Sequence, residues 1–174
     1  MHAALFPIIV PRTYFGSGSW PGPHLRLRHP ELAVTWVELS APTTMAYVTF
    51  ERVGELESMG IRIHETAMEN LRKASEQLLT HGRESDDGLV LGAMMHPDGL
   101  GTSRLLLLSQ IELAFPAGAL LGIPERSCGF VVSTKLSPAE MKEALDMVSS
   151  YYRDGTTPML DGLHEPRLFA IVDA

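Results

Sequence analysis

Apolar and polar positions along the chain change period several times, and each change marks an element. Leu5 to Val10 is a β-branched run that stops at Pro11, which predicts a short strand at a sheet edge or a strand beginning there. Gly16 to Pro23 has no periodicity and predicts a surface loop anchored by Trp20. Leu32 to Leu39 partly alternates, and Met45 to Phe50 is a second run of strand formers. With Ala41-Pro42-Thr43-Thr44 turning between them, the two predict a hairpin. Glu51 to Ser58 predicts a short helix closed by Gly60. Thr66 and Glu69 have capping-box spacing, and Ala67, Leu71, Ala74 and Leu78 share a face, which predicts a helix ending near Gly82.

In the second half, polar Arg83 to Gly88 predicts a turn, Leu89 to Met95 a strand, and His96-Pro97-Asp98-Gly99 a type I turn. Ser103 to Phe115 is too rich in leucine and isoleucine for a single stripe and predicts a largely buried helix. Ala119 to Ile123 and Gly129 to Ser133 predict a hairpin of central strands with a longer loop at 124–128. Ser137-Pro138-Ala139-Glu140 sets a cap, a proline at the first helical position and a reciprocal glutamate in order. Met141, Ala144, Leu145, Val148 and Tyr152 continue that helix's apolar face. Leu168 to Val172 predicts a last short strand. This order lacks steady strand-helix alternation, so the expected fold is a single α+β domain over residues 1–174, with a mixed or antiparallel sheet covered by three to four helices.

Composition narrows the function. With 174 residues, 45% hydrophobic and 20% charged, the chain can bury a real core. A net charge of −7 has the wrong sign for phosphate backbones or anionic lipid, so neither nucleic acid nor membrane is an expected partner. The longest leucine run, Leu105 to Leu108, is far shorter than a spanning helix. The first residues read as a strand and not as an export signal, and a lone Cys128 suits a reducing compartment, which together point to the cytoplasm.

Candidate chemistry is sparse. Seven histidines include no metal-binding motif; His24 and His29 form the closest pair, flanking a proline-rich loop where solvated histidines are the ordinary case. No metal and no cofactor is expected. Asp98-Gly99-Leu100-Gly101-Thr102-Ser103-Arg104 is the most suggestive segment, because glycines followed by hydroxyl residues at a helix start can aim N–H groups at an anion. It is not a P-loop, and Thr102 or Ser103 serves equally as an N-cap. Arg104 needs an acceptor, which Asp98 or Glu125 can supply as a structural ion pair. The candidate ligand-binding residues are therefore Asp98, Gly101, Thr102, Ser103, Arg104, Glu125 and Arg126. Their convergence on a cleft would favour a ligand site, whereas a paired Arg104 in a packed loop would not. Cys128 has no histidine near it in sequence and reads as a small buried thiol, so no catalytic residue is assigned.

Three segments, Phe6 to Arg12 (FPIIVPR), Asp98 to Leu106 (DGLGTSRLL) and Ala117 to Arg126 (AGALLGIPER), resemble in order and spacing an uncharacterised bacterial family of the YtpQ type. The resemblance covers most of the chain, including a helix-bearing middle around Val53 to Leu79. Family members carry further sequence before the first motif, and Ser127-Cys128 stands where an aspartate or arginine is often found. The resemblance implies a bacterial cytosolic α+β fold and no activity. The expected function is that of a non-enzymatic binding protein, an adaptor or a toxin-neutralising immunity-type protein, whose acidic surface meets a protein partner, in particular a basic one. The competing expectation is a small-molecule-binding protein or hydrolase with its site near Asp98–Arg104, and a homo-oligomer is a third.

Overall fold

In the computed structural model the chain forms two compact units, Met1–Glu76 with Ile171–Ala174, and Gln77–Ala170. Residues 4–172 are described, apart from 17, 19, 42–43 and 87. The fold is α+β, and every strand pairing in it is antiparallel, in two separate four-stranded sheets where one sheet was expected. Among the described residues no helix is long and apolar enough to cross a membrane.

In the first unit β3 (Leu32–Ala41) is central, paired with β1 (Ala4–Pro11) on one side and with β2 (Leu25–Arg26) and β4 (Thr44–Tyr47) on the other. As expected, β1 is an edge, and Pro7 and Pro11, which cannot donate to a ladder, fall on it. β4 stops at Tyr47 because Phe50 already opens a helix, α1 (Phe50–Ser58), capped by Thr49 Oγ1 accepting from Arg52 N–H at 3.2 Å. The predicted turn at 41–44 has its centre outside the described residues.

α1 ends as the sequence predicts. Gly60 takes φ +77°, its N–H reaches Glu57 O at 2.8 Å, and Ile61 N–H reaches Leu56 O at 3.0 Å. α2 (Ile63–Ala74) begins three residues before the predicted cap, because Ile63 joins Ala67 and Leu71 at four-residue spacing on the buried face. Thr66 is therefore inside the helix, its N–H on Arg62 O, and Glu69 pairs with Arg72 and Lys73. The helix stops at Ala74, well short of Gly82, where the Ser75 hydroxyl donates to Leu71 O at 2.6 Å. Leu5, Trp36, Val48, Leu56, Ile63 and Ala67 form the core that these helices cover.

In the second unit the strand order is β5 (His81–Ser85), β6 (Gly88–Met94), β8 (Cys128–Ser133), β7 (Ala119–Glu125). β5 replaces the predicted turn; all five of its residues are exposed, so pairing with β6 and not burial makes it a strand. β8 is central, as expected, but β7 lies at the end of the ladder. The segment 157–164 then runs along its outer side, with Leu121 N–H to His164 O at 2.8 Å and Leu160 N–H to Ile123 O at 3.0 Å. The turn between β7 and β8 is also shorter than expected, since Glu125 pairs with Cys128.

The predicted helix over 103–115 is two pieces, a 3₁₀ turn (Thr102–Leu106) and α3 (Leu108–Ala114), with Leu107 between them. Residues 102–107 are buried throughout, and Leu105 packs 3.2 Å from where a Cβ on Gly129 would stand. Leu105 thus packs on the sheet from the 3₁₀ turn, while Leu108 opens the regular helix. α4 (Pro138–Asp154) opens on the full capping box, Ser137 Oγ accepting from Glu140 N–H and Glu140 accepting from Ser137 N–H. The predicted last strand is a 3₁₀ turn (Pro166–Phe169) followed by a single bridge between Ile171 and Leu27.

Candidate functional site

The glycine-rich segment folds as a turn whose polar groups are used internally. Gly99 N–H reaches His96 O at 3.2 Å, closing the predicted turn, and Asp98 Oδ1 accepts from Leu100 N–H at 2.9 Å. Arg104 is 1% exposed and forks onto Asp98, with Nη1 to Oδ1 at 3.1 Å and Nη2 to Oδ2 at 2.7 Å. This is the bidentate arrangement that guanidinium and carboxylate favour. Burial raises the Asp98 carboxyl, but the Arg104 and Leu100 hydrogen bonds and the Arg104 charge outweigh it and hold the group below its ordinary value.

Gly101 has a packing reason to be glycine: a Cβ there would stand 2.3 Å from Met94 O and 2.7 Å from Ser127 O. Neither hydroxyl caps the 3₁₀ turn, whose N-cap is Gly101. Thr102 Oγ1 donates to Arg126 O at 3.1 Å, and Ser103 Oγ is buried without a hydrogen-bond partner. Arg126 N–H donates to Thr157 O at 3.1 Å. Asp98, Gly101, Thr102 and Arg104 therefore brace the 98–104 turn, and Thr102 ties it to the β7–β8 turn at Arg126.

Glu125 belongs to a different surface. It lines a pocket of about 420 Å³ together with Met95, His96, Ser127, Cys128 and the end of α4 at Tyr151, Asp154, Gly155 and Thr156. Three elements meet there for local reasons. The turn after β6 brings His96, the tight β7–β8 turn brings Glu125 to Cys128, and the 157–164 segment laid along β7 carries the end of α4 to the turn. Gly155 permits the approach: a Cβ there would lie 2.5 Å from Glu125 Cγ.

Acceptors dominate this lining. Glu125 Oε2 accepts from Ser127 N–H at 2.7 Å and from the Ser127 hydroxyl, and Asp154 Oδ2 accepts from Ser150 Oγ at 3.0 Å. Among the described residues neither carboxylate forms an ion pair. His96 Nε2 faces Gln77 O at 2.9 Å and must donate to it, which leaves Nδ1 as a lone-pair acceptor, buried and without a hydrogen-bond partner. Burial holds the His96 pKa below its ordinary value, the Gln77 hydrogen bond and Asp98 opposing and Arg104 adding to the shift, so the ring is neutral at neutral pH. Burial and then the Glu125 charge push the Cys128 thiol up to about 11. It stays protonated and is a poor nucleophile.

The sequence groups Glu125 with Asp98–Arg104, whereas it lines this pocket with His96, Tyr151, Asp154 and Thr156, which were not among the candidate residues. The one local signal was Asp154-Gly155 at a helix end; the rest depends on segment 157–164, which carries no periodicity. Around the other candidate metal ligands, His24 stacks on Phe15 with ring centroids 3.8 Å apart, and His29 Nδ1 accepts from Glu31 N–H at 3.3 Å. Among the described residues no group of three or more His, Cys, Asp or Glu is arranged to hold a metal ion. Comparison with family models, with curated proteins and with solved structures finds no match in any of the three.

Proposed function

We propose that the chain is a non-enzymatic binding protein whose second unit takes a cationic group of a basic protein partner, a lysine ammonium above all, into the pocket between the β7–β8 turn and the end of α4. The observation that carries this reading is the chemistry of the lining: among the described residues, the carboxylates of Glu125 and Asp154 have no counter-charge and the lone pair of His96 Nδ1 has no donor. An ammonium brings three donors and a positive charge and would satisfy all three. The unit's charge supports it at longer range. Residues 77–170 hold seven Lys and Arg against twelve Asp and Glu, a net −5, while the rest of the chain holds seven against nine. Such a field speeds encounter with a basic partner and is weakened by salt. An adaptor or immunity-type role fits this behaviour. Hydrolysis or anion binding at Asp98–Arg104 is the weaker reading, because the cation that would hold an anion is buried on Asp98.

Fluorescence anisotropy with a labelled lysine-glycine peptide tests the proposal. The peptide should bind at low salt and release at high salt, and a glutamate-glycine peptide should not bind. Asp154→Asn should weaken binding by about tenfold, the scale of one charged hydrogen bond. Equal affinity for both peptides, or an unchanged affinity in the variant, would refute it.

A further inference from the structure

A second pocket, wholly within the first unit, opens on that unit's core. It measures about 530 Å³; Trp36 and Ile63 belong to the core, and Leu25, Val53 and Ile61, which pack against it, complete the apolar walls. The charged residues of the lining are Glu57, Arg62 and Glu65, and all three are exposed. Arg62 Nε pairs with Glu65 at 2.5 Å, and among the described residues Glu57 forms no ion pair. The charges therefore stay in water and leave the lining net negative.

The inner polar atoms are of another kind. Trp36 is 5% exposed, and among the described residues its buried Nε1–H has no acceptor. His64, half-buried in the first turn of α2, has its Nδ1 buried without a partner, and the two rings meet edge to face at 6.1 Å and 79°. Burial holds the His64 pKa below its ordinary value, the Glu65 charge opposing and Arg72 adding to the shift, so the ring is neutral at neutral pH. With the proton on Nε2, Nδ1 is a lone-pair acceptor, whereas an indole N–H can only donate. Buried polar atoms are nearly always hydrogen-bonded, so one orphan donor and one orphan acceptor on adjoining rings define what completes them: a neutral group that carries an acceptor and a donor side by side.

We propose that this pocket binds an apolar carboxamide, its hydrocarbon against Leu25, Val53 and Ile61, its carbonyl oxygen accepting from Trp36 Nε1–H and its N–H donating to His64 Nδ1. A carboxylate would serve Trp36, but it could use His64 only by moving the ring's proton to Nδ1, and it would meet the net negative charge of the lining. An ammonium would serve His64 and answer Glu57, but it has no acceptor for the indole N–H. Either ion would also give up more hydration than a neutral amide to reach the buried end of the pocket.

The test uses hexanamide, hexanoate and hexylamine as probes, with the indole N–H cross-peaks of the intact protein as the readout. Trp20 supplies an internal control, and its cross-peak is assigned with Trp20→Phe. Hexanamide should shift the Trp36 cross-peak downfield and saturably and leave that of Trp20 in place. Hexanoate and hexylamine should each bind at least about tenfold more weakly, the scale of leaving one buried polar group unpaired. His64→Phe keeps an aromatic wall but removes the lone pair, so it should weaken hexanamide by about tenfold and shrink its margin over hexanoate. An unmoved Trp36 under hexanamide, hexanoate or hexylamine binding as tightly as the amide, parallel shifts of both tryptophans, or an unchanged margin in His64→Phe would overturn the proposal, and the first three of these are read on the unmutated protein.

Discussion

Arg104 and Asp98 show how much one pair of residues decides. A guanidinium sealed from solvent is tolerated with a carboxylate forked onto it, so removing the carboxylate takes the counter-charge of that fork away from a buried cation. Asp98→Ala should cost about 3–5 kcal/mol in denaturant unfolding, the range for breaking one side of a buried pair. The pH dependence follows from the sign of the Asp98 shift. Its folded pKa lies below the unfolded value, so the pair's contribution is complete above about pH 4 and is lost as pH falls through the folded value. Asp98→Asn should remove that acid-side loss, and a variant that keeps it would assign the loss elsewhere. The sequence made this pair legible because an arginine beside a leucine run must find an acceptor nearby. It did not show that the pair closes the segment against ligands.

His96 gives a second residue-scale prediction. Its pKa is depressed, so its Nδ1 accepts at neutral pH and becomes a cationic donor only as pH falls below the free-histidine value of about 6.5. Affinity for the lysine-glycine peptide should therefore drop on acidification through that region, and His96→Gln should flatten the profile. A wild-type affinity indifferent to pH there would detach His96 from the site.

At the scale of elements, sequence signals succeeded where the cause is local. Ser137 and Glu140 satisfy each other within one turn, and so the start of α4 could be read from four residues. Thr66 and Glu69 have the same spacing but lie inside α2, because burial of Ile63 moved the helix start upstream. The two sites should separate cleanly: Ser137→Ala should cost about 1 kcal/mol, and Thr66→Ala should be neutral or slightly stabilising. Comparable losses at both would mean that Thr66 caps after all. Elements set by distant partners escaped the pattern. β5 buries no side chain and exists by pairing with β6, and Leu105 packs on β8 at Gly129 from a 3₁₀ turn and not from a regular helix.

For the whole molecule, the α+β class was legible, but two sheets instead of one were not, since hydropathy reports how a strand is buried and not which strand it joins. The same limit hid the acidic pocket, whose walls come from three segments joined through 157–164. Its acidity is nonetheless visible in the sequence once the units are known, because most of the net charge falls within 77–170. The most direct test locates the lysine-glycine peptide on the protein by amide chemical-shift mapping. Saturable shifts are expected to cluster at Glu125 to Cys128 and at Asp154 to Thr156, and to shrink in Asp154→Asn. Shifts spread along the exposed acids of α4, with the pocket amides unmoved, would contradict the proposed site.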